Sequence, residues 1–208
     1  VRSDFELLDA WRAGDRGAGN TLVERHFLSL YRFFRNKLGG DIDDLIQRVF
    51  LACVESRDAF RKEASFRTYL FAVARNELHA HFRRERRDAV LDFGELSVED
   101  LGPSPSQLVA REEEQRVLLR ALRMIPLDYQ IALELFYWEQ LTGRELAAVL
   151  DIPEGTARTR LRRARSALAQ RLSRLIKSPD VLRSTTDNLD RWAASLRECL
   201  AAEGRKVG

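Results

Sequence analysis

The sequence has no apolar stretch long enough to cross a bilayer and no basic-then-apolar leader before a small-residue cleavage site. A chain without membrane insertion, working in the cytoplasm, is therefore expected. Cysteine is scarce. Cys53 and Cys199 are too few for a disulfide framework and lack metal-ligand spacing. Cys53 lies in the apolar run from Val49 to Val54 and reads as a buried free thiol. The period-two alternation of half-buried strands is nearly missing, which leaves an all-α fold. Charge of one sign is not in excess either: 35 Lys and Arg against 32 Asp and Glu give +3, so local clusters must attract any anionic partner. No nucleophile–base arrangement or metal spacing is recognisable, so neither catalysis nor a cofactor or metal is expected.

What the sequence does have is helical periodicity, broken by one long segment. Residues 88–106, DAVLDFGELSVEDLGPSPS, contain Asp88, Asp92, Glu95, Glu99 and Asp100 and no base, and end in Gly-Pro and Ser-Pro breakers. That composition predicts a flexible acidic linker. The expected layout is a helical unit over 1–87, the linker over 88–106, a second helical unit over 107–176 and a C-terminal extension over 177–208. In the extension, Leu189, Trp192, Leu196 and Leu200 follow helical spacing. Such a lone stripe needs a cover, either this chain or a regulator.

In the second unit, DIPEGTARTRLRRARSALAQRL (151–172) has Ala157, Leu161, Ala164, Leu168 and Leu172 at the spacing of one buried helical stripe. Thr159, Arg162, Arg163 and Ser166 point the other way. Just upstream, LTGRELAAVL (141–150) opens on Thr142 and Glu145, a capping box, with Leu141 and Leu146 as its hydrophobic staple. A short helix from Gly143 to about Leu150, a turn at Asp151, and Pro153 in the first turn of a basic helix make a helix-turn-helix. A merely solvated face usually carries both signs. This one has Arg158, Arg160, Arg162, Arg163 and Arg165 with no acid after Glu154, which points to DNA. Thr159, Arg162 and Arg163 are candidates for base edges, flanked by Arg158 and Arg165, because the guanidinium fork suits the two acceptors of guanine. Further upstream, RVLLRALRMIPLDYQIALELFYWEQ (116–140) supplies two helices broken at Pro126, with Tyr137 and Trp138 as packing residues.

In the first unit, Thr21 and Glu24 form a second candidate capping box, opening a helix whose apolar face carries Val23, Phe27, Leu30, Tyr31 and Phe34. DIDDLIQRVFLACVES (41–56) starts with acids, as a helix N-terminus favours, and buries Leu45, Ile46, Val49, Phe50 and Cys53. That leaves Asp44, Gln47 and Arg48 for a partner or for water. FRKEASFRTYLFAVARNELHAHFRRERR (60–87) interleaves aromatics with bases, among them Arg61, Lys62, Arg67 and Arg75. This is the pattern of single-stranded DNA binding, although core packing also uses such aromatics, and Leu70, Val73 and Leu78 are assigned to the core. His79 and His81 diverge on a helix and do not make a metal pair.

DIDDLIQRVFLACVESRDAFRKEASFRTYLFAVARNELHAHFRR resembles region 2 of the extracytoplasmic-function (ECF) class of bacterial sigma factors. LRMIPLDYQIALELFYWEQLTGRELAAVLDIPEGTARTRLRRARSAL resembles their region 4. The resemblance spans roughly residues 5 to 172, in the family's order, and ends after Lys177. It implies a subunit that binds core RNA polymerase through the β′ clamp helices and the β subunit, recognises promoter DNA and helps to open it. By the same resemblance, Asp44, Leu45, Gln47, Val49 and Phe50 would engage polymerase. Arg61, Lys62, Ser65 and Asn76 would read and melt the −10 element, and Arg158, Thr159, Arg162 and Arg163 would read the −35 element. The linker would thread toward the RNA path, and an anti-sigma factor or other regulator is an expected partner. Arg48 stands where the family usually has an acid, Tyr69 where tryptophan is common and Ala80 where aspartate is common. A sigma-like mimic that sequesters a regulator would not need the arginine face. A dimeric helix-turn-helix repressor would not explain the first unit.

Overall fold

The computed structural model describes residues 2–39, 42–56, 65–86, 91–101 and 113–176; Arg61, Lys62, Cys199 and the 177–208 extension lie outside them. The described residues are helical apart from short connections and one isolated bridge between Ser97 and Pro126.

The first unit is α1 (Asp4–Arg12), α2 (Arg16–Arg35), α3 (Asp43–Glu55) and α4 (Phe66–Glu85). Ser3 and Glu6 form a capping box at α1. The expected start of α2 at Thr21 is corrected. Asp15 is the N-cap, accepting from the Ala18 N–H at 3.1 Å, and Thr21 lies inside the helix with its hydroxyl donating to Gly17 O at 3.0 Å. An Asp at N-cap satisfies an orphan amide as well as Thr does, so the earlier cap sets the helix start. Gly19 lets α1 lie directly on α2, since a Cβ there would come within 2.7 Å of the Trp11 ring. Between these helices Leu22, Leu30, Phe34, Val49, Cys53, Leu70, Phe71 and Leu78 are buried, as expected for most of them, while Val73 is only partly so. Each such apolar side chain contributes about 1.5–3 kcal/mol.

The described part of the linker is packed, which corrects the expectation of a flexible one. Phe93, Val98 and Leu101 are buried, and Val98–Leu101 forms a short helix, α5. The carbonyls of Leu96 and Phe93 accept from Leu127 N (2.8 Å) and Asp128 N (3.0 Å), filling orphan donors at the start of the next helix but one. Apolar residues among the acids supply the packing that the charge count concealed.

The second unit is α6 (Glu113–Arg123), α7 (Leu127–Leu133), a π-helical continuation (Glu134–Trp138), α8 (Gly143–Leu150) and α9 (Glu154–Leu175). Its own core gathers Leu118, Leu122, Leu133, Trp138, Leu161 and Leu168. The other face of α7 and of α8 does not look to solvent. Leu127, Ile131, Leu135, Leu146, Val149 and Leu150 continue the core of the first unit, so the two units are docked along an apolar seam.

Candidate nucleic-acid interface

The helix-turn-helix forms as its sequence dictates. Thr142 Oγ1 accepts from Glu145 N–H at 3.2 Å, the Glu145 carboxylate accepts from Thr142 N–H at 2.9 Å, and Leu141 and Leu146 are buried beside them. Asp151 ends α8 in the left-handed region (φ 53°), which redirects the chain, and Pro153 caps α9. In α9 the buried residues are Ala157, Leu161, Ala164, Leu168 and Leu172, the stripe read from the spacing.

That packing leaves Arg158, Arg162 and Arg163 exposed, with Thr159 half-buried and its hydroxyl donating to Gly155 O at 3.0 Å. Among the described residues no carboxylate lies within ion-pair distance of Arg162 or Arg163. The other arginines are not unopposed, contrary to expectation. Arg158 meets Glu154 at 3.2 Å in a pair too exposed to matter much, and Arg160 turns aside to Asp128 at 3.1 Å. Arg165 lies over the Phe136 and Tyr137 rings, 5.5 and 5.3 Å from their centroids. Between Arg158 and Arg165, Arg162 and Arg163 are thus the cations left for an anionic partner.

On α4, Asn76 is exposed. Ser65 is exposed too and is the N-cap, accepting from Thr68 N–H at 3.2 Å. Along α3, Asp44, Gln47 and Arg48 are exposed, whereas Leu45, Val49 and Phe50 have at most 5% of their surface accessible and belong to the core. These three therefore shape the surface from beneath. Leu51 was missed by sequence reasoning. It is 55% exposed, the one large exposed hydrophobic among the described residues, and sits with Gln47 and Arg48 at helical spacing. Its position outside the apolar stripe was the available signal.

Also unforeseen are two acids on the second unit that gather bases across the seam. Glu139 accepts from Arg32 at 3.0 Å and from Arg67 at 2.7 Å. Asp128 Oδ1 faces His79 Nε2 at 3.4 Å and Arg75 at 3.7 Å, and its Oδ2 accepts from Arg160. Burial pushes the Asp128 carboxyl up, but His79, Arg75 and Arg160 together outweigh it and hold the group below the usual carboxylate range. His79, stacked on Phe93 with centroids 4.1 Å apart, is pushed down by burial more than Asp128 raises it.

Two sequence families cover these helices: Sigma-70 region 2 matches residues 22–88 and Sigma-70, region 4, matches residues 115–168. Together they span more than half of the 208 residues. The chain belongs to the sigma-70 family, in its ECF class. The ECF RNA polymerase sigma-E factor of Escherichia coli strain K12 is 29% identical over 185 residues, covering 84% of this chain and 97% of that protein. Among solved structures, CnrH in complex with the cytosolic domain of CnrY has a TM-score of 0.58 at 23% identity, covering 83% of this sigma factor and 98% of that chain. RpoE in complex with the anti-sigma factor NepR, from Bartonella quintana, has 0.55 at 22%, covering 74% and 96%. These two establish the shared all-α fold. As a sigma factor, the chain binds core RNA polymerase and directs promoter-specific transcription initiation. The helix-turn-helix lies in its region 4, and α3 and α4 lie in its region 2.

Proposed function

We propose that α9 reads the −35 element with Arg162 and Arg163, helped by Arg158 and Thr159. The observation carrying this is the exposed arginine pair without a carboxylate partner, on the second helix of a helix-turn-helix. Asn76, with Ser65, Arg61 and Lys62 before it in sequence, reads and opens the −10 element; the exposure of Asn76 and Ser65 supports their part. Core polymerase binds the α3 surface of Asp44, Gln47, Arg48 and Leu51, with Leu45, Val49 and Phe50 fixing its shape. Residues 1–87 and 107–176 act as the two functional domains.

The sigma factor works in the cytoplasm as a regulatory subunit without enzymatic activity of its own. Among the described residues no helix is long and apolar enough to cross a membrane. An anti-sigma factor is its regulator; RpoE of Bartonella quintana, of the same fold, was solved with such a partner. The test is transcription of pooled genomic fragments by purified core polymerase with this protein, followed by sequencing of RNA 5′ ends. Reproducible new starts sharing two upstream elements are expected. No new starts from folded protein and active polymerase would overturn the reading.

A further inference from the structure

Among the 22 residues of α9 Glu154 is the one acid, and it stands first in the helix. Glu154, Arg158 and Arg162 recur every fourth residue and form one exposed row. They rim a groove of about 580 Å³ that is also lined by buried Leu146 and Leu161 and partly buried Phe136. Fold stability gives little reason for a carboxylate there. Its ion pair with Arg158, at 3.2 Å, joins side chains that are 52% and 81% exposed, so water and salt screen it. Pro153, not Glu154, is the N-cap, and an exposed acid in the first turn gains little from the helix dipole. Facing a phosphate, the carboxylate would weaken DNA binding. Facing a base edge it has a use, because arginine carries donors alone and cannot accept from the amino group of cytosine. The N-terminal residues of a recognition helix are the ones placed at base edges. Gly143 leaves room for Glu154 at the start of α8, where a Cβ would lie 3.8 Å from Glu154 Oε1. That same Oε1 accepts from Arg158, the one ion-pair partner of Glu154 among the described residues, and Oε2 is left for a base.

We propose that Glu154 is a specificity-determining residue of the −35 reader, accepting a hydrogen bond from the N4 amino group of one cytosine while Arg158 beside it donates to a guanine. Four residues of helix rise about 6 Å, so the two bases lie about two base pairs apart. The inference rests on the reading of α9 as the −35 helix. It adds to the arginines a residue of opposite charge that selects a different base.

The test is transcription by core polymerase with the full chain, from a promoter found by start-site mapping and randomised through its upstream element. Each template carries a transcribed barcode, and the barcodes are counted. Wild type should prefer a C·G pair at one position of the element by at least about fivefold. Glu154→Ala should lose that preference and keep those at the other positions. Glu154→Asp keeps an acid at the helix start but draws the carboxylate back by one methylene, and should lose the preference too. Glu154→Gln offers the donor and acceptor that adenine takes together, so its preference should move from C to A. Arg158→Ala should relax a different position, one that selects G. An acid that only stabilised the helix start would give another pattern: a lower thermal midpoint in Glu154→Ala, a normal Glu154→Asp and an even loss over all templates. Positional preferences unchanged in Glu154→Ala overturn the proposal. Loss at the same position that Arg158→Ala relaxes also overturns it, because Glu154 would then act only by orienting Arg158. If Arg162→Ala and Arg163→Ala likewise leave every upstream preference of wild type intact, the assignment of α9 to the −35 element falls with it; if they relax positions that the Glu154 variants keep, that assignment stands and the role of Glu154 alone falls.

Discussion

Lys37 and Glu134 form an ion pair that neither shares with solvent: their side chains are 0% and 2% exposed. Burial pushes the Lys37 ammonium down, and Glu134 opposes that shift. Lys37 also donates to Phe33 O at 2.5 Å, and Asn36 and Gln130 donate to Glu134 Oε1 at 3.2 and 2.8 Å. The pair joins the chain just past the end of α2 to the π-helical segment and so region 2 to region 4.

Removing one partner strands the other. Glu134→Gln should cost about 3–5 kcal/mol in urea unfolding, whereas Lys37→Met combined with Glu134→Leu should cost far less, because no charge is left buried. Equal costs for the single and double variants would count against this account.

At the −35 surface, Arg162→Ala and Arg163→Ala should leave the thermal midpoint unchanged, since both side chains are exposed. A lost base contact weakens promoter recognition by about 1–3 kcal/mol and relaxes sequence choice. A lost phosphate contact instead lowers affinity evenly and flattens the salt slope by about one. Footprinting on promoter variants separates the two, and unchanged start-site choice in both variants would remove these residues from the reading face.

On α3, surface and core residues should behave differently. Leu51→Asp should weaken binding to core polymerase with little change in the melt. Leu45→Ala or Phe50→Ala should cost about 2–5 kcal/mol of stability. Retained polymerase affinity in Leu51→Asp would move the interface elsewhere.

Acid should destabilise the fold in two windows. His79 is held below the ordinary imidazole value of about 6.5, so below that pH the unfolded chain takes up a proton that the native state resists, and stability falls. His81, pushed down by burial and by Arg84 and Arg48 against the pull of Glu85, acts in the same direction. Asp128, held below its ordinary range, stabilises the fold at neutral pH and loses that contribution as pH falls through its depressed native value. A thermal midpoint falling between about pH 7 and about pH 5, less steeply in His79→Gln, is expected. No difference between His79→Gln and wild type would exclude His79 as a source of the slope.

The Cys53 thiol is pushed up by burial to about 12. In a Cys199→Ser background, iodoacetamide at mildly alkaline pH should leave the native chain unmodified and alkylate it in denaturant. Rapid labelling of folded protein would show that the core opens around it.

What was legible in the sequence was what neighbours along the chain decide. The α9 stripe, the Thr142–Glu145 box and the buried set of α3 all depend on spacing within one helix. The Thr21–Glu24 pattern misled because Asp15 offered an earlier cap, which pattern matching does not rank. The contacts of Asp128 and Glu139 were illegible for another reason. Arg32 and Glu139 are 107 residues apart, and nothing local marks an acid as the partner of a distant base. Packing of the linker was hidden likewise, because Phe93 finds its place only against α4.

The widened turn at Glu134–Trp138 holds an extra residue, which sets the rotational phase between Glu134, on Lys37, and Glu139, on Arg32 and Arg67. Winding the same five residues as an ordinary α-helix, with none deleted, would swing everything downstream by about 100°. Glu134 would keep its lysine while Glu139 and α8 turned away from theirs. The seam between the domains thus works like a two-pin plug, with a single backbone irregularity setting the gauge between its pins.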